Sequence, residues 1–198
     1  MAIWFTSDLH FNHDKEFLYR PRGFHNIIEM NESIIQNWNS IVNMNDDVYL
    51  LGDVCLGGGS DEVLRQNREL IHSLKGKIHL IRGNHDTDTR MKMYSECYNV
   101  VDVGKWADVI KYNKYNFYIS HYPTITTNYD DKSLKQRVLN LHGHTHDKNK
   151  FYDDSPFIYN VALDAQDCKP ISIESVIDDI KIKFKEYREE YNDIKRTY

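Results

Sequence analysis

Histidines at positions 142, 144 and 146 alternate in the stretch HGHTHDK, directly after the apolar run Val138-Leu139-Asn140-Leu141. On an extended chain, alternate side chains share one side. Neutral imidazole is the commonest metal ligand, so such a cluster suits an ion. Other segments carry compatible chemistry. SDLH places Asp8 two residues before His10, and GDV supplies Asp53. RGNHD supplies Asn84, His85 and Asp86, SHYP supplies His121, and NVALD supplies Asn160 and Asp164. An asparagine offers a neutral oxygen, a histidine can carry a proton, and a nearby carboxylate can orient that histidine. Taken singly, each has an ordinary reading: GD is a common turn, NHD can cap a helix, and His121 or His142 can be a packed strand histidine.

The elements around these segments give the cluster its weight. The runs 2–5, 48–51, 78–81, 117–119, 138–141 and 157–161 are short, β-branched or aromatic, and read as strands. Each polar segment follows one of them. Ile27, Met30, Ile34, Ile35, Trp38 and Ile41 recur at helical spacing, as do Val63, Asn67, Leu70, Ile71 and Leu74 behind a Ser60 cap. A last stripe, Ile173, Val176, Ile177, Ile180, Phe184 and Tyr187, predicts a helix over about 172–195, capped by Ser172. Strands alternating with helices imply an α/β layered fold. The stretch 97–120 reads instead as consecutive strands turning near Asn113-Lys114, which predicts a mixed sheet system. In α/β folds ligands gather at strand C-termini, where these polar segments fall.

The chain has 198 residues and a formal charge of -5, which fits one domain over 1–198 and carries no basic footprint for nucleic acid. No apolar run approaches membrane-spanning length, and the start MAIWFTSDLH lacks a signal-peptide pattern. Three dispersed cysteines, none in a CxxC pair, predict reduced thiols and a cytoplasmic protein without a thiolate zinc site.

The order Asp8-Leu9-His10, Gly52-Asp53, Gly83-Asn84-His85-Asp86, His121 and Gly143-His144-Thr145-His146 resembles the calcineurin-like metallophosphoesterase family, in a compact form of the bacterial or phage kind. The motifs span residues 8–146. The resemblance implies a two-sheet mixed β-sandwich flanked by helices, in α/β/β/α layers. It implies two divalent ions: one held by Asp8, His10 and His146, the other by Asn84, His121 and His144, with Asp53 bridging. Manganese is the expected metal; iron, zinc or nickel suits the same nitrogen and oxygen donors. A hydroxide shared by the ions would attack phosphorus. His85 would protonate the leaving group, and Asp86 would hold the His85 ring.

His13 and Arg82 are candidate substrate contacts. Tyr19, Arg20 and Arg22 are read as a solvated loop in preference to a nucleotide grip, and Asn160 and Asp164 as supports. The expected substrate is a phosphorylated small molecule, a nucleotide-like phosphodiester ahead of a phosphomonoester. A nuclease or a non-catalytic protein-binding scaffold stands behind these. Loops 11–26, 55–60, 86–96 and 122–136 would set specificity. Oligomeric state is not legible.

Overall fold

The computed structural model describes residues 1–126 and 132–197, with side chains through residue 190. Among them run β1 (Ile3–Thr6), β2 (Asp47–Leu50), β3 (Lys77–Ile81), β4 (Val100–Lys105), β5 (Ala107–Tyr112), β6 (Tyr115–Ser120), β7 (Val138–His142), β8 (Ile158–Asn160) and β9 (Ile171–Ser172). The helices are α1 (Glu16–Tyr19), α2 (Ile27–Ile41), α3 (Asp61–His72), α4 (Asp88–Ser95) and α5 (Ile173–Thr197).

One sheet has the order β4-β3-β2-β1-β9 and the other β5-β6-β7-β8. β1 to β4 pair in parallel, and β9 joins β1 antiparallel. β6, β7 and β8 are likewise parallel, with β5 antiparallel at the edge. The chain crosses between sheets at Trp106, between β4 and β5. The turn expected at Asn113-Lys114 closes the β5–β6 hairpin, and both residues take the positive φ of 47° and 70° that a two-residue hairpin turn requires.

Alternation along the strands divides the core. Val48, Leu50, Ile78 and Leu80 face α2, α3 and α4, packing with Met30, Ile34, Trp38, Ile71 and Tyr94. Phe5, Leu51 and Ile81 belong to a second cluster with Phe117, Ile119, Leu139, Leu141 and Tyr159, so the two sheets close face to face. The stripe Ile173, Val176, Ile177 and Ile180 on α5 enters that second cluster. Two mixed sheets flanked by helices result. Ser60 and Ser172 act as the expected caps, accepting from the amides of Val63 and Ser175. Among the described residues, no helix is long and apolar enough to cross a membrane. Residues 127–131 of the loop expected to set specificity lie outside the described residues.

Candidate metal centre

The parallel strands of both sheets end at one edge, and the polar segments meet there. Asp8 and His10 follow β1, Asp53 follows β2, Asn84 to Asp86 follow β3, His121 follows β6, and His144 and His146 follow β7. Backbone hydrogen bonds join the two sheets at this edge: Leu163 N–H donates to Ser7 O at 3.2 Å, and Ser7 pairs with Ala162 as an isolated bridge. Within the sheets, Asp8 N–H donates to Gly52 O and Gly143 N–H to His121 O, both at 3.0 Å.

Side-chain directions at this edge differ from the extended arrangement expected. Asp8, His10, Asp53, His144 and His146 all have φ between 50° and 70°. Asp, Asn and His tolerate this left-handed region better than most residues, and such conformations concentrate at functional sites. The strand stops at His142, whose ring does not join its neighbours. Its Nδ1 bonds Gly143 O at 2.8 Å, and the ring lies edge-on to Tyr152. Three glycines let the backbones approach this closely. A Cβ at Gly83 would strike Asp53, one at Gly143 would strike Ser7 Oγ and Asp8 Oδ2, and one at Gly52, where φ is 87°, would strike the Gly83 backbone.

Two groups of donors result. In the first, His10 Nε2 lies 3.7 Å from Asp8 Oδ1 and 3.1 Å from His146 Nε2, and His146 Nε2 lies 3.6 Å from Asp8 Oδ1. In the second, Asn84 Oδ1 lies 2.8 Å from His121 Nε2 and 2.9 Å from His144 Nδ1. Asp53 Oδ2 stands between the groups, 3.7 Å from His10 Nε2 and 3.4 Å from His121 Nε2. Donors about 2.1 Å from a shared ion, at about 90–110° to each other, would be about 3.0–3.4 Å apart.

The residues fit divalent ions on further grounds. Asp8 Oδ1 is buried without a hydrogen-bond partner, and such an atom needs a counter-charge. His121 Nδ1 bonds Leu51 O at 2.8 Å and His146 Nδ1 bonds Asp164 Oδ2 at 3.0 Å, which leaves the Nε2 lone pair of each ring facing the cluster. Burial opposes ionisation of Asp8, yet His10, His121 and His146 outweigh it and hold its carboxyl below the usual range. Burial likewise opposes protonation of His121, but its bond to Asp53 and the charges of Asp8 and Asp53 raise it to about 9. In the protein without ions, protons on His121 and His146, both shifted upward by neighbouring carboxylates, would balance part of the negative charge; divalent ions would displace them.

Three expectations need correction. Asp86 does not hold the His85 ring. Its buried carboxylate accepts from the amides of Asp53, Val54 and Gly83, at 2.8, 3.2 and 2.9 Å, and from Tyr94 Oη at 3.1 Å. It therefore ties the β2 and β3 loops together and fixes the backbone of Asp53. Arg82 turns away, pairing with Asp88 at 2.7 Å and stacking on Trp106. Arg22 is no solvated loop residue. Its side chain is 1% exposed and grips Asp164 through Nε at 2.9 Å and Nη2 at 2.7 Å, while Nη2 also donates to Asp8 O at 2.8 Å. Asp164 thus supports His146 while being held by Arg22, which no linear signal reveals because the partners lie 142 positions apart. Tyr19 is buried as well, and Arg20 stays exposed. Asn160 braces the loop after His146, donating to Asp147 O at 3.1 Å and Asn149 O at 3.2 Å.

His85 is exposed at the rim, its amide donating to Asp53 Oδ1 at 2.8 Å and its ring centred 5.6 Å from that of His10. His13 is drawn to the cluster too, its Nδ1 3.2 Å from His10 Nδ1. Both line a cleft of about 450 Å³ with His10, His146 and Asp164.

Comparisons with known proteins agree with this arrangement. The family described as calcineurin-like phosphoesterase matches residues 1–179. An uncharacterised protein of Methanocaldococcus jannaschii, MJ1445, is 35% identical over 88% of this chain and 89% of its own. The Gene 66 protein of Mycobacterium phage L5 is 27% identical over 72% of this chain and 76% of its own. The crystal structure of AQ665 from Aquifex aeolicus, a protein of unknown function, shares the fold with a TM-score of 0.64 at 23% identity, over 89% of this chain and 98% of that one. With the family's motifs brought to one edge of two mixed sheets and its profile running through nearly the whole sequence, the chain belongs to the calcineurin-like phosphoesterases.

Proposed function

We propose that this protein is a dinuclear metal-dependent phosphoesterase that hydrolyses a nucleotide-sized phosphodiester, with phosphomonoesters as the second substrate class. The observation that carries the reading is the position of Asp53 Oδ2, one carboxylate oxygen facing both donor groups. Two divalent ions bound there, manganese being the expected pair, would supply Lewis acidity and an acidified water.

The chain's own share is positional. Asp8, His10 and His146 would hold one ion, Asn84, His121 and His144 the other, with Asp53 contributing to both. The amide bonds to Asp86 keep the Asp53 backbone in place, and the Arg22–Asp164 pair keeps His146 turned inward. His85 is tied by its amide to the bridging carboxylate, so its ring stands at the mouth of the same cleft. A ring N–H of His85 would pass its proton to the leaving oxygen. His85→Ala would then slow esters of poor leaving groups by about 10²–10⁴-fold and spare p-nitrophenyl esters; an equal loss on both, or no loss, would remove that role.

The full set of donors with His85 supports catalysis over a scaffold role. The formal charge of -5, and a cleft lined by no Lys or Arg among the described residues, weigh against a nuclease. The three free, buried cysteines fit a cytoplasmic protein. The deciding experiment is paired turnover of bis-p-nitrophenyl phosphate and p-nitrophenyl phosphate by metal-stripped protein reloaded with Mn²⁺, beside Asp53→Asn. Faster diester turnover, abolished in the variant, is the expected result. A monoester preference would make the protein a phosphatase, and no turnover of either with two ions bound would overturn the reading.

A further inference from the structure

We propose that Phe17, Leu18 and Pro21 form a seat for the flat, uncharged aromatic group of the substrate, a nucleobase or an equivalent ring, in the same cleft as the phosphoryl centre. This rests on the phosphoesterase reading above and names the part of the substrate beyond the phosphate. The cleft lined by His10, His13, His85, His146 and Asp164 is lined by these three apolar residues as well. Phosphoryl chemistry and an apolar wall therefore share a single space.

The wall is built to keep an aromatic ring in solvent. Leu18 and Tyr19 anchor α1, at 5% and 7% exposure, while Phe17, which also lines the cleft, is 72% exposed. A single exposed Phe is unremarkable by itself. This one is oriented: His13 meets it edge to face, with centroids 5.7 Å apart and planes at 87°, and His13 in turn contacts His10. The backing is rigid as well. Leu18 N–H bonds Lys15 O and Phe24 N–H bonds Tyr19 O, both at 3.0 Å, and Arg22 of the same loop is locked to Asp164 beneath. One short loop thus presents Arg22 inward to the ion donors and Phe17 outward to the cleft. A seat held this firmly binds without an ordering cost.

The charge of the lining narrows the ligand. Among the described residues no Lys or Arg lines the cleft, so its lining offers no direct cation for a second or third phosphate. A ring stacked on Phe17 needs no charge, because every base has a π-face. The fitting class is a nucleoside or aryl ester with a single phosphate, in preference to a polyphosphate or a sugar phosphate.

The test uses the full chain loaded with Zn²⁺, which leaves fluorescence unquenched, and the hydrolysis-resistant 5′-phosphonate of 2-aminopurine riboside. Stacking quenches this probe. Wild type should bind it with quenching and at least about tenfold more tightly than methylphosphonate, which is measured by calorimetry. Phe17→Ala, an exposed position that leaves the core intact, should weaken the probe by about 5- to 150-fold and abolish the quenching. Its methylphosphonate affinity should stay within about twofold of wild type, and Phe17→Trp should retain both binding and quenching. Equal affinity and quenching in wild type and Phe17→Ala, or no binding by wild type, would overturn the proposal. Ester turnover indifferent to Phe17→Ala would sink the seat and leave the phosphoesterase reading standing. Quenched binding without turnover of any ester would do the reverse.

Discussion

Replacing Arg22 by Met takes a cation from beneath the candidate ion site and leaves Asp164 facing an apolar side chain. The two side chains are 1% and 9% exposed and joined by bonds of 2.9 and 2.7 Å. Removing one partner of a buried pair costs about 3–5 kcal/mol. Asp164 would still keep His146 at 3.0 Å, which puts the expected loss near the lower end, about 3 kcal/mol. In urea that moves the unfolding midpoint down by about 1–2 M for a slope of about 2 kcal/mol/M. The ion site should be largely spared in this variant, because Asp164 still accepts from His146 Nδ1. The double variant Arg22→Met/Asp164→Leu separates the two effects. It removes both charges, so stability should recover most of the loss. Ion affinity should fall here by about 10–100-fold, because His146 Nδ1 has lost its acceptor. Urea titration of the four members of the cycle, with calorimetric Mn²⁺ binding, reads both quantities. A single-variant loss below about 1 kcal/mol, or stabilities that simply add, would refute the reasoning.

Three further outcomes are expected. His142 is fully buried, and burial lowers its pKa to about 4. A group whose folded pKa is depressed contributes stability above its unfolded pKa of about 6.5 and loses it as pH falls toward 4, by at most about 3 kcal/mol. His142→Asn, which keeps a donor for Gly143 O, should flatten that part of the stability–pH profile relative to wild type. Gly143→Ala should destabilise the protein by about 1–3 kcal/mol and weaken ion binding, because its Cβ would strike Ser7 and Asp8. Gly58→Ala, with open space around it, should do neither. Stripping ions present at about 100 times their dissociation constant should cost about 2.7 kcal/mol, read as a fall in Tm of about 5–10 °C that added Mn²⁺ reverses.

Much of this site was legible because parallel strands force their C-termini to one edge. Once six apolar runs are read as strands, Asp8, Asp53, Asn84, His121 and His144 must come near one another. The direction of each side chain was not legible. Asp8 and His10 do not share the face of an extended segment, since each turns through a positive φ. Asp86 sits next to His85 in sequence, yet its carboxylate faces inward to three amides. Arg22 carried no local signal because its meaning lies in a carboxylate from the far end of the chain. β9 has two residues and owes its existence to pairing with β1, which no local pattern records. The crossing at Trp106 was hidden for a similar reason: β4 and β5 follow each other closely, and only long-range pairing assigns them to different sheets.

The donors are split between the layers. Asp8, His10, Asp53 and Asn84 come from loops of the first sheet, His121, His144 and His146 from loops of the second. Neither half of the chain can assemble a complete coordination set as it leaves the ribosome. An ion bound by this set would therefore join the two layers and act as a clasp at their open edge. Such an ion would be drawn from what the folded protein meets, since the emerging chain lacks the full set.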